Sequence, residues 1–134
     1  MHFARSVFMA AAVFGVIILL PLYFFEKYIA ANFPPAINHP EFYYGFLAAA
    51  LFWQVAYFLI GGDPIRYRVF MIPACLVKTS FGLSLIFLFF QHRIGFVTVA
   101  SGFPDLILAV LFGMAFVKTK ADVNAESSSL APKT

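Results

Sequence analysis

Charge is scarce in this chain. Only 11% of its 134 residues are charged while 63% are hydrophobic, too little polar surface to coat a water-soluble globule. Cysteine is reduced to one residue, Cys75, so an intramolecular disulfide is excluded. The three histidines fall at positions 2, 39 and 92, none in the middle of an apolar stretch, which argues against a haem held at the centre of a helix bundle. His39 and Glu41 stand two apart with His92 expected on the same side, but no His, Cys, Asp or Glu set has a recognised metal-ligand spacing, and no metal is expected. A glycine-rich phosphate loop and a nucleophile elbow are both missing. The length suits one domain with no separate catalytic module. Nine Lys and Arg against six Asp and Glu leave a small positive balance that flanks apolar segments, a topology signal and not a nucleic-acid footprint.

What the chain does have is four apolar stretches, at about residues 6–25, 42–61, 69–91 and 96–117. Each has roughly the 20 residues needed to cross a hydrocarbon core of about 30 Å. The sequence therefore predicts an all-α integral membrane four-helix bundle of antiparallel up-and-down spans over residues 1–120. The first stretch is longer than the 7–15 residues of a cleaved signal core and is followed by Glu26 and Lys27, so it reads as a retained helix. Residues 121–134 change to a polar composition ending in a serine run at 127–129, which predicts a disordered cytoplasmic tail without a lipidation signal.

Orientation follows from counting cations in the short connections. With the N-terminus inside, Arg5, Arg66, Arg68, Lys118, Lys120 and Lys133 face the cytoplasm, against Lys27 and Arg93 outside. This asymmetry predicts a multi-pass protein of the cytoplasmic (inner) membrane with both termini cytoplasmic. Tyr23, Tyr28, Tyr43 and Tyr44 fall at the expected outer interface and Tyr67 at the inner one, as interfacial anchors do. Pro40 is placed to open the second helix with Glu41 in its first turn, and Asp63 before Pro64 to cap the third. Gly61-Gly62 is expected to end the second helix, and residues 27–40, with Pro34-Pro35, to form an irregular loop at the interface. Pro21 and Pro73 are expected to bend the first and third helices.

Two charges break the apolar pattern and become the leading site candidates, because a charged side chain at membrane depth is costly. Lys78 lies in the third stretch. Its thirteen Leu, Ile, Val and Phe residues favour insertion by roughly 4–8 kcal/mol against about 3 for the lysine, so the helix still inserts. Lys78 shares a face with Met71, Cys75 and Gly82, expected to point into the bundle while residues 87–90 meet lipid. Asp105 has two compatible placements. If the fourth helix starts at Phe96, Asp105 is roughly 13 Å along it and within about 6 Å of the depth of Lys78. If the helix starts near Ser101-Gly102, Asp105 sits in the first turn. Gln54, with Trp53 beside it and Tyr57 one turn on, is a third buried polar group, suited to interhelical hydrogen bonding worth about 0.6–2 kcal/mol. Ala11 with Gly15, Gly45 with Ala49, and Ala109 with Gly113 offer small-residue faces for helices or protomers.

The segments Glu41-Phe42-Tyr43-Tyr44-Gly45-Phe46, Trp53-Gln54, Asp63-Pro64-Ile65-Arg66-Tyr67-Arg68 and Pro104-Asp105-Leu106 together resemble uncharacterised small bacterial four-helix membrane proteins and, distantly, DoxX-like proteins. The resemblance covers about residues 41–117 and implies a lipophilic partner such as a lipid or quinone, without naming catalytic residues. Four short spans are also similar in layout to small multidrug exporters, but those carry a glutamate in the first helix, where this chain has no acidic residue before Glu26. The reading is a non-catalytic accessory or lipophilic-ligand-binding subunit, with Lys78, Asp105, Gln54, Trp53 and Tyr57 as the ligand-binding residues. Its partners are expected to be membrane lipids and a larger membrane complex or a second copy of itself. Two alternatives stand beside it: a small transporter or proton-linked carrier in which Lys78 and Asp105 exchange partners with substrate, and an enzyme in which Lys78 acts as an acid-base group.

Overall fold

The computed structural model describes residues 2–33 and 36–130, with side chains as far as residue 120. The described residues form helices and no strand: α1 (His2–Leu22), α2 (Glu26–Asn32), α3 (Pro40–Gly62), a 3-10 turn (Arg68–Phe70), α4 (Met71–Phe90), α5 (Phe96–Ala100) and α6 (Phe103–Leu130). Four segments are long and apolar enough to cross a membrane: His2–Leu22, Pro40–Gly62, Arg68–Phe90 and Phe96–Lys120. These are the four apolar stretches of the sequence, with ends that differ from the expected ones by up to four residues.

The local chemistry of the helix ends accounts for most boundaries. Pro40 is the first residue of α3 and Glu41 lies in its first turn, where a missing N–H costs nothing and a carboxylate meets the positive end of the dipole. Gly62 closes the same helix. Asp63 does not cap α4. Its carboxylate accepts from the Arg66 N–H at 3.1 Å and so fastens the turn between α3 and α4. Pro73 is not in a helix interior either: it is the third residue of α4, within the turn whose N–H groups have no intrahelical acceptor to lose. Pro21 is the last residue but one of α1.

Three segments depart from the sequence expectation. A short helix, α2, occupies part of the stretch expected as irregular loop, with Glu26 in its first turn and Ala30-Ala31 as good helix formers. The fourth span is broken: α5 ends at Ala100, and α6 begins at Phe103, so both expected helix starts exist and Asp105 lies in the first turn of α6. The break stays tied to both helices: Ser101 and Gly102 donate to the Val97 and Val99 carbonyls of α5 at 3.2 and 3.0 Å, and the Gly102 carbonyl accepts from the N–H groups of Asp105 and Leu106 at 3.1 and 3.3 Å. Finally, α6 continues as backbone to Leu130, past the boundary expected near Lys120. The side chains of residues 121–130 and all of 131–134 lie outside the described residues.

Packing pairs the helices. α1 lies along α3, and α4 along α6, while α1 and α6 join the two pairs and α3 touches α4 only sparsely. All neighbours run antiparallel, as cross-contacts show: Tyr43, early in α3, donates to the Leu22 carbonyl at the end of α1 at 2.8 Å, whereas Tyr57, late in α3, meets Phe8, early in α1. Small residues permit the close approaches. A Cβ on Gly61 would meet Met9 of α1 at 2.8 Å, and one on Gly82 would meet Leu106 of α6 at 2.5 Å. Gly45 and Gly113 have nothing near an added Cβ, so those two glycines are not at a helix contact within the chain.

The main core cluster lies in the half of the bundle that carries the termini. Phe8 stacks on Phe112 with centroids 4.1 Å apart, and Tyr57 meets Phe112 edge-on at 5.0 Å. Ala4, Ala11, Met71, Ala74 and Ala115 close around this aromatic cluster. The same half is tied by cations. Arg68 donates from Nη2 to the Phe116 carbonyl at 3.1 Å, with its guanidinium 3.8 Å from the Phe116 ring centre. Lys118 places Nζ 4.2 Å from the ring centre of Phe3. Phe87 and Phe90, near the end of α4, are exposed.

Candidate functional site: a polar pair in an apolar cavity

In the half away from the termini the two helix pairs part, leaving a cavity of about 590 Å³ between them. Its walls come from α1 between Ala11 and Leu22, α3 between Phe46 and Tyr57, the middle of α4 and the segment from Ser101 into the start of α6. All five residues singled out in the sequence line it: Trp53, Gln54 and Tyr57 from α3, Lys78 from α4 and Asp105 from α6. The remaining lining is mainly apolar, including Phe14, Ile18, Phe46, Phe81 and Leu108. The volume falls within the range of about 300–1,000 Å³ typical of small-molecule sites, as does an apolar lining with a few convergent polar groups.

Lys78 donates from Nζ to Asp105 Oδ1, and the two side chains are 15% and 19% exposed. The antiparallel pairing of α4 and α6 puts these residues level. The break before α6 then places the carboxylate in a first turn, where the dipole favours it. Lys78 also approaches the face of Tyr57, with Nζ 5.9 Å from the ring centre, within the reach of a cation–π contact. Next to Lys78 on α4, Thr79 donates to the Cys75 carbonyl at 2.9 Å and Cys75 Sγ donates to the Ala109 carbonyl at 3.3 Å. The strip around Lys78 is therefore already engaged with α4 and α6.

Gln54 occupies the other side. Its Nε2 donates to the Ala50 carbonyl at 2.7 Å, which sets the amide orientation, because the flipped amide would put two acceptors together. Its Oε1 then packs against Gly15, where a Cβ would overlap the amide. Gln54 Oε1 and the Tyr57 hydroxyl are both buried without a hydrogen-bond partner among the described residues. Each such atom carries a desolvation cost of about 1–3 kcal/mol.

The cavity has one weakly closed side, the seam between α3 and α4. There Phe46 and Phe81 stack across the gap with centroids 5.4 Å apart and planes 22° apart, and both also line the cavity. Phe14 and Ile18, on the α1 wall, are each 49% exposed. At the end of the bundle beyond the cavity, Tyr44 donates to Glu26 of α2 at 2.8 Å and packs on Tyr23. These tyrosines read as interfacial anchors in the sequence. The structure gives Tyr43 and Tyr44 a further job, fastening α3 to the end of α1 and to α2.

Sequence reasoning missed Gly15 as the residue that makes room for Gln54, and Phe46 and Phe81 as the seam. The signal for Gly15 was its spacing from Ala11. Nothing in a run of phenylalanines distinguished the two that meet across a gap. Among the described residues no group of three His, Cys, Asp or Glu side chains is placed to hold a metal ion. Compared with protein-family models, curated proteins and solved structures, the chain has no significant match, so a functional reading rests on the cavity itself.

Proposed function

We propose that this protein is a multi-pass subunit of the cytoplasmic membrane, with both termini on the cytoplasmic side, that binds a lipophilic molecule in the cavity between its helix pairs. It acts as a non-catalytic accessory to a larger membrane assembly or to a second copy of itself. The observation that carries the reading is the concentration of Lys78, Asp105, Gln54 and Tyr57 in one otherwise apolar cavity. Within a membrane such groups are expensive and mark sites by default. Two of them also carry buried atoms without a hydrogen-bond partner among the described residues, a further cost of keeping polar groups here. The carrier alternative needs a second exit. The path toward the termini is filled by Phe8, Tyr57 and Phe112, which favours binding over transport.

Purification from native membranes in a mild detergent tests this. A lipophile retained at about one per chain, and lost on Lys78→Met, is the expected result. A stoichiometric larger protein partner would support the accessory role. Substrate-driven flux through proteoliposomes of the purified chain would replace this reading with the carrier. The orientation is tested separately by labelling Asn38→Cys and Ser128→Cys in a Cys75→Ser background. Position 38 should label from outside intact cells, and labelling of position 128 from outside would overturn it.

A further inference from the structure

The charge arrangement of the cavity narrows its ligand. Lys78 and Asp105 neutralise each other across the α4–α6 contact. An anionic head group would find Lys78 as its one cation and would have to take it from Asp105, leaving a carboxylate unpaired in apolar surroundings. The start of α6 supplies little else, since the N–H groups of Asp105 and Leu106 already donate to the Gly102 carbonyl. A cationic head group meets the mirror problem, because it would have to take Asp105 from Lys78. Separating a largely buried ion pair strands a charge in apolar surroundings, so either charged head is penalised.

An uncharged head meets no such obstacle. The pair's hydrogen bond engages Asp105 Oδ1, so Oδ2 can accept from a ligand O–H or N–H. Lys78 has three N–H donors, so further ones can reach a ligand oxygen. The apolar wall from Phe14 and Ile18 to the Phe46–Phe81 seam takes the chain.

We infer that the cavity binds an uncharged amphiphile whose head carries both a hydrogen-bond donor and an acceptor, such as a hydroxyl or amide, with that head on the Lys78–Asp105 pair. This rests on the ligand-binding reading above and specifies its chemistry.

The chain carries its own reporter, because Trp53 is its one tryptophan and lines the cavity. Three probes with the same bromine-bearing chain and different heads are added to the full-length protein in nanodiscs: a monoacylglycerol, an alkyl phosphate and an alkyl trimethylammonium. Quenching of Trp53 is read with and without an unbrominated competitor, so that only displaceable quenching counts. The monoacylglycerol should quench saturably and at least tenfold more tightly than either charged probe. In the Lys78→Met/Asp105→Leu double variant this preference should fall to within about twofold, since chain contacts remain and head recognition is gone. A phosphate or ammonium probe binding as tightly as the neutral one in the native chain would overturn the head-group assignment while leaving a ligand site in place. No displaceable quenching by any probe would instead overturn the ligand-binding reading itself. The ranking in the native chain decides the assignment even if the double variant does not fold.

Discussion

The two halves of this bundle are built from the same apolar alphabet and end in opposite states. Toward the termini, Phe8, Tyr57 and Phe112 interlock and small residues fill the gaps around them. Away from the termini, the phenylalanines line walls that do not meet except at the Phe46–Phe81 stack. Lipid competes equally for any apolar side chain, so helices in a membrane stay together through close packing and polar contacts and not through hydrophobicity. The closed half has the close packing. The open half has the polar pair. The cavity persists between the helix pairs, where the ring interlock ends and the Lys78–Asp105 pair, which joins α4 to α6, does not cross the gap.

The largest break in this comparison should come from the closed half. Phe112→Ala removes a ring stacked on Phe8 and facing Tyr57 and should cost about 3–5 kcal/mol, read as resistance to unfolding in a fixed detergent. Phe14→Ala, on the half-exposed cavity wall, should cost less than about 1 kcal/mol by the same measure. Equal effects would mean that the two halves are equally packed.

The polar fastening is tested by a double-mutant cycle. Lys78→Met and Asp105→Leu should each destabilise by about 3 kcal/mol, because each strands a charge. The double variant should lose less than their sum, by a coupling of about 0.5–3 kcal/mol. Additivity within error would show that the pair does not hold the open half together.

Gly15→Ala should push the Gln54 amide off its seat and cost about 1–3 kcal/mol through overpacking. Adding Gln54→Ala should recover part of that loss in a thermal-shift measurement. If Gly15→Ala is silent, the amide has free space and Gly15 does not define the wall. The smallest effect should be a gain. His92, in the turn after α4, has φ 56°, a left-handed conformation that glycine adopts without strain. His92→Gly is expected to raise stability by about 0.5 kcal/mol, sharpening the picture of an open half that is not optimised for stability.

Much of this fold was legible in the sequence because helices long and apolar enough to cross a membrane are read from length and composition, two quantities that tertiary packing does not alter. Pro40 and Glu41 opened α3 as expected because a helix start is a local event. Pro73 was misread for the reason that its effect depends on where the helix begins, and Val69 and Phe70 look as helical as Met71 until the 3-10 turn is seen. The short α2 was obscured by Pro34-Pro35, which drew attention from the helix-forming run before them. The polar residues of the site stood out because each is costly in an apolar run. Their convergence depended on the antiparallel level of α4 and α6 and on the break at Ser101-Gly102, where two helix starts were both compatible with the residues. The cavity was not legible at all. It arises from the space between α3 and α4, and no residue pattern encodes a separation.

The cations at the closed end carry one further implication. Arg68 lies over Phe116 and holds its carbonyl, and Lys118 lies over Phe3. On the proposed orientation these same two residues belong to the positive charge that selects which side of the membrane the termini occupy. Insertion geometry and tertiary structure are thus written in shared letters. A lineage that shed these cations to reverse its orientation would loosen the seam between α4 and α6 and the contact between α1 and α6 in the same step. On that proposed orientation, dual insertion, in which copies of one chain face both ways, would come at the expense of these packing contacts.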